Sequence, residues 1–126
     1  MKSDFDLIKQ ILLSIEDSEE GWLEKQPELP GYRASEVKYH IRPLIQAKLI
    51  SAVTEPDPND PDGRVYWYIR LKWKGHEFLD KIRDEKIWKA TKENAAKIGN
   101  WSLSFIGEIA KSVAKVEAKN RLGLDL

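Results

Sequence analysis

Counting about a hundred degrees per residue from Ser35 to Ile50 puts Val37, Ile41, Leu44 and Ile45 on one arc and Ser35, Tyr39, Arg42 and Gln46 on the opposite one. Lys38 falls on the flank. The spacing predicts an amphipathic helix near 35–48 with one face on a core and the other free to enter a groove. Leu49–Val53 then forms a short apolar run. The segment from Glu55 to Gly63 carries three prolines and closes with Asp-Gly, the composition of a stiff turn. Beyond it Val65, Trp67 and Ile69 alternate with Tyr66, Tyr68 and Arg70, which predicts a strand with the first set inward and the two tyrosines half exposed. Helix, strand, hairpin, strand, helix is the order of a winged helix-turn-helix.

Upstream, Asp4 and Asp6 have the form of a helix start, and Phe5, Ile8, Ile11, Leu12 and Ile15 recur at helical spacing to Glu16. A standard reader would place its positioning helix next. Instead Trp22–Gly31 contains Pro27, Pro30 and Gly31, so that helix should be missing or a single turn and the segment extended. Pro43 sits inside the helix near 35–48, where it removes one backbone hydrogen bond and costs on the order of 3 kcal/mol. Downstream, helices are expected at about 74–84, 85–98 and from Ser102 or Ser104 onward, with Trp73 and Trp88 sealing their junction. Val37, Ile41, Leu44, Ile45, Leu49, Trp67, Phe78 and Leu79 are expected to share one core.

The fold class expected is therefore α+β: a winged helix-turn-helix-like domain over residues 1–84 with a two-stranded wing hairpin, and extra C-terminal helices over 85–126. Gly107, Ala110, Ala114 and Ala118 form a small-residue seam on the last helix. Such a seam lets helices approach closely, so the extension should pack on the body or form a homodimer.

At 126 residues the chain can bury a core without metals or disulfides, and it has no cysteine. Its longest apolar run near the N-terminus, Ile11–Leu13, is too short for a signal peptide or a membrane span. A cytoplasmic protein without a membrane partner is expected. Formal net charge is zero, which argues against strong non-specific nucleic-acid binding. The distribution is uneven: residues 1–30 are acidic, whereas Arg33, Lys38, Arg42 and Lys48 face a single acid, Glu36, in residues 31–51. Arg70 and Lys72 follow on the returning strand. The turn before it carries Glu55, Asp57, Asp60 and Asp62, and an acidic tip is repelled by phosphate.

Catalytic chemistry has little to stand on. The two histidines, His40 and His76, have no partners at ligand spacing, and there is neither a phosphate-binding glycine loop nor a nucleophile elbow. No catalytic residue, metal site or cofactor is assigned. His40, at the edge of the apolar arc, is expected to bond a neighbouring carbonyl. Tyr66 and Tyr68 read as cross-strand packing in preference to a base-stacking platform.

Asp4-Phe5-Asp6-Leu7-Ile8, Gly31-Tyr32, Tyr39-His40-Ile41, Leu44–Ile50 and the run Leu71–Asp84 with Trp88 together resemble a bacterial and prophage family, domain of unknown function 2513. The most specific part is Trp73-Lys74-Gly75-His76-Glu77-Phe78-Leu79-Asp80-Lys81-Ile82-Arg83-Asp84. The resemblance implies a bacterial or phage origin and a winged-helix-like body, and it carries no assigned activity. Where that family has Ala-Gly-Leu-Ile, this chain has Ala47-Lys48-Leu49-Ile50, which forfeits the glycine suited to a left-handed helix end.

These residues point first to a regulator or accessory protein that reads duplex DNA. Lys38, Tyr39 and Arg42, flanked by Ser35 and Gln46, would contact the groove, and Lys48, Arg64 and Arg70 would contact phosphates. The alternative is a winged-helix scaffold that binds another protein and not DNA. Surface charge discriminates between them. A continuous positive strip joining Arg33, Arg42, Lys48 and Arg70 favours DNA, and charges interrupted by acids favour a protein.

Overall fold

The structure, a computed structural model, describes residues 3–60 and 62–123. It is a mixed α+β arrangement that divides into two compact units, residues 1–76 and 77–126. In chain order the elements are α1 (Phe5–Glu16), β1 (Trp22–Leu23), α2 (Ala34–Gln46), β2 (Ile50–Pro56), β3 (Arg64–Leu71), α3 (Trp73–Ile82), α4 (Glu85–Ile98) and α5 (Leu103–Leu122).

In the first unit the Asp4 carboxylate accepts from the Leu7 N–H at 3.0 Å and starts α1, whose Phe5, Leu7, Ile8, Ile11, Leu12 and Ile15 are buried. No helix forms between α1 and α2. The proline-interrupted segment is extended, as its composition implies, and supplies β1. This strand makes the antiparallel sheet three-stranded in place of the two-stranded hairpin expected, in the order β1-β3-β2. From α2, Val37, Ile41 and Leu44 are buried, while Ile45 is only half-buried; the helix runs on through Pro43. It ends in Lys48 at φ +64°, so a lysine holds the left-handed position that suits glycine.

The alternation predicted for β3 fails at its centre. Val53 pairs with Trp67 but Ser51 pairs with Arg70, so β3 carries one residue more than β2 between these points. Tyr68 takes φ +51° there, and the bulge reverses which residues face inward. Tyr66 and Ile69 are buried, whereas Trp67 is half-buried and Tyr68 exposed. The expectation of a half-exposed Tyr66 and a core Trp67 is thus corrected by a one-residue slip in phase. Trp73 is also corrected: it is 76% exposed and seals nothing.

In the second unit Phe78, Leu79, Ile82, Trp88, Thr91, Ala95, Ile106 and Ala110 are buried. Of the residues expected to be core, Val37, Ile41, Leu44 and Leu49 are buried in the first unit and Phe78 and Leu79 in the second. Gly107 faces Phe78, whose ring would lie 3.8 Å from an added Cβ, so the front of the small-residue seam is occupied by packing within this unit.

Asp84 joins α4 to α5. Its carboxylate accepts from the Lys86 and Ile87 N–H groups at 2.9 and 3.0 Å, capping α4. It also meets the Arg121 guanidinium of α5 at 2.9 Å. The Arg121 hydrogen bond, followed by the Ile87 N–H, lowers the Asp84 pKa to about 2. A depressed carboxylate pKa contributes stability above the unfolded-state value near 3.9 and loses it as pH falls through about 2. Arg121→Ala should therefore raise the Asp84 titration midpoint towards the ordinary value, read as the carboxyl carbon shift in an NMR pH series. A midpoint unchanged from the wild type would refute the assignment.

Candidate functional site

The polar side of α2 forms one wall of a cleft of about 800 Å³ in the first unit. Helical spacing brings Ser35, Lys38, Tyr39, Arg42 and Gln46 to that wall, together with Pro43. These are five of the eight residues singled out for nucleic-acid contact. Tyr39 is 43% exposed, and its ring stands edge-on to His40 with centroids 5.3 Å apart. Gln26, from the extended segment, also lines the cleft and donates from Nε2 to the Ala34 carbonyl at 2.9 Å, tying that segment to the start of α2.

The opposite wall is the β2–β3 loop, which supplies Asp60 and Asp62. Lys38 Nζ pairs with Asp60 at 2.5 Å, and Arg42 Nη1 lies 3.7 Å from Asp62. The hydrogen bond from Lys38, with a second from the Asp62 N–H, lowers the pKa of Asp60. Asp62 also accepts from the Tyr66 hydroxyl at 2.9 Å; burial, followed by that bond to Asp62, raises the Tyr66 pKa. The loop holds its own shape. Asp57 N–H donates to the Gly63 carbonyl and Gly63 N–H to the Asp60 carbonyl, while the Asp57 and Asp60 carboxylates cap Asn59 and Asp62.

The remaining three candidates lie outside the cleft lining. Lys48 ends α2, and Arg64 and Arg70 sit near opposite ends of β3, about 20 Å apart at the usual rise of a strand. All three are exposed and, among the described residues, make no ion pair. Arg33 is bridged to Glu36 at 3.1 Å. The strip from Arg33 through Arg42 to Lys48 and Arg70 is consequently interrupted by Glu36 and Asp62.

Asp60, Asp62, Tyr66 and Gln26 are the site residues that pattern did not bring forward. The acids were legible as a loop tip, but their position against α2 depends on the fold of the whole loop. His40 is buried and behaves as its place on the arc suggests. Its Nε2 accepts from the Asp4 N–H at 2.8 Å, which leaves Nδ1 as donor to the Glu36 carbonyl at 2.7 Å.

Among the described residues no group of histidine and carboxylate side chains could hold a metal ion, and no helix is long and apolar enough to cross a membrane. What the geometry offers is an amphipathic recess between a helix and the Asp60 and Asp62 carboxylates, on a small α+β body. The chain belongs to the family described as hypothetical protein (DUF2513), whose model matches residues 2–100. It is 33% identical over 117 residues to an "Uncharacterized protein" of Haemophilus influenzae, covering 90% of this chain and 95% of that protein. No solved structure matches.

Proposed function

We propose that this chain is a winged-helix-like scaffold that docks another protein on the α2 face, in preference to reading duplex DNA with that helix. The order α1-β1-α2-β2-β3 with the sheet order β1-β3-β2 supports a winged-helix-like body that lacks its positioning helix. The observation that carries the reading is the closure of Lys38 and Arg42 by Asp60 and Asp62. A groove-reading helix must project into the duplex, and its cations must be available to bases and phosphates. Here the helix lies along a recess and its cations are already matched. Pockets of this size and mixed lining suit a bound segment better than a rod-shaped duplex.

Fluorescence anisotropy with random and genomic duplexes at low salt tests this, because non-specific affinity is strongest there. The wild-type protein should show no saturable binding at micromolar concentration. Saturable, salt-sensitive binding would return the assignment to DNA. That second reading has its own support in the exposed Lys48, Arg64 and Arg70.

A further inference from the structure

We infer that Asp60 and Asp62 act as an internal stand-in for the ligand, and that the α2 cleft takes an acidic segment of a partner protein which displaces the loop from Lys38 and Arg42. This rests on the protein-docking reading and names the chemistry of the partner. Lys38 and Arg42 stand one turn apart on α2, and two carboxylates spaced two residues apart in the loop meet them. The same pair of cations can hold any chain that offers carboxylates at that spacing. Around them the cleft provides what such a chain needs: Tyr39 and Pro43 for apolar contact, and Gln26, Ser35 and Gln46 for backbone hydrogen bonds.

The loop is built to leave without unfolding. The hydrogen bonds from Asp57 to Gly63 are internal to it and survive its displacement. Among the described residues, its side-chain links to α2 in this cleft are the two ion pairs, with the Tyr66 hydroxyl holding Asp62 from β3. The Arg42 pair is long at 3.7 Å and partly open to water, and such pairs hold weakly. A partner that brings two carboxylates therefore exchanges like for like at the cations and gains the apolar contact in addition.

The test uses the full chain and a labelled peptide copying residues 55–64. Asp60→Asn with Asp62→Asn should bind this peptide about tenfold more tightly than the wild type, the effect of removing two partly exposed competing pairs. Adding Lys38→Met and Arg42→Gln to that variant should abolish binding, and so should replacing the Asp60 and Asp62 of the peptide by asparagine. Near-UV circular dichroism reports whether the loop variant keeps its packing. If it does not, the wild type titrated to saturation against the acidic and the asparagine peptides gives the same comparison. Equal affinity for the two peptides, or for wild type and variant, would overturn the inference while leaving the docking reading intact. Tighter binding of the loop variant to a duplex than to the peptide would overturn it in favour of nucleic acid. Duplex binding by the wild type would instead sink the docking reading itself.

Discussion

Gly75→Ala should strip the chain of a large part of its stability. Gly75 is buried in the first turn of α3 against the main chain of Leu49, the residue before β2, and the Lys72 N–H donates to the Leu49 carbonyl at 2.9 Å. A Cβ at position 75 would overlap that carbonyl oxygen and stand 3.1 Å from its carbon and 3.2 Å from Leu71 Cδ2. The obstruction is main chain and cannot rotate away, so helix and strand must separate. A cost of about 4 kcal/mol or more belongs to this mechanism, against a total stability of roughly 5–15 kcal/mol for a domain. Urea denaturation followed by far-ultraviolet circular dichroism measures it. A midpoint within error of the wild type would show that the crossing has room to yield. The glycine in the Trp-x-Gly-His-Glu-Phe-Leu run thus has a steric reason.

The second large effect is expected at His40. Its imidazole joins the N-terminus of α1 to the first turns of α2 by accepting from the Asp4 N–H and donating to the Glu36 carbonyl. Leucine fills similar space but can do neither, and it leaves a partly buried donor without its partner. His40→Leu should cost about 1–3 kcal/mol. His76→Leu, at an exposed position, should stay within about 0.5 kcal/mol and serves as the control. Equal urea midpoints for the two variants would remove His40 from the structural account.

Helices were the legible part of this chain. The arcs of α1 and α2 follow from 3.6-residue periodicity alone, and Val37, Ile41 and Leu44 are buried where that period puts them. The missing positioning helix was legible too, because Pro27, Pro30 and Gly31 forbid it locally. On β3 the same kind of pattern misled. A bulge at Tyr68 inserts one residue, and nothing in Val65-Tyr66-Trp67-Tyr68-Ile69 marks where the phase will slip. Trp73 misled for a different reason: a large aromatic beside a helix start resembles a core residue, yet it lies in solvent. The cleft was half legible. Helical spacing grouped Ser35, Lys38, Tyr39, Arg42 and Gln46 correctly on one wall. The wall that neutralises them comes from a loop whose path is set by its own turns and by Tyr66, through contacts distant along the chain from Lys38 and Arg42.

The central place of β3 in the sheet order β1-β3-β2 has a consequence for how the first unit assembles. β1 and β2 pair with β3 and with nothing else in the sheet, and the register partner of Trp22 is Arg70. During synthesis, α1, β1, α2 and β2 therefore emerge before any ladder hydrogen bond can close. β2 and β3 meet across a short loop, whereas β1 must close on β3 over a much longer stretch of chain and meet that loop-closure entropy before contacts offset it. Sheet formation waits on the arrival of a single strand, and a nascent or truncated chain that stops before Arg64 holds two strands without the template they share.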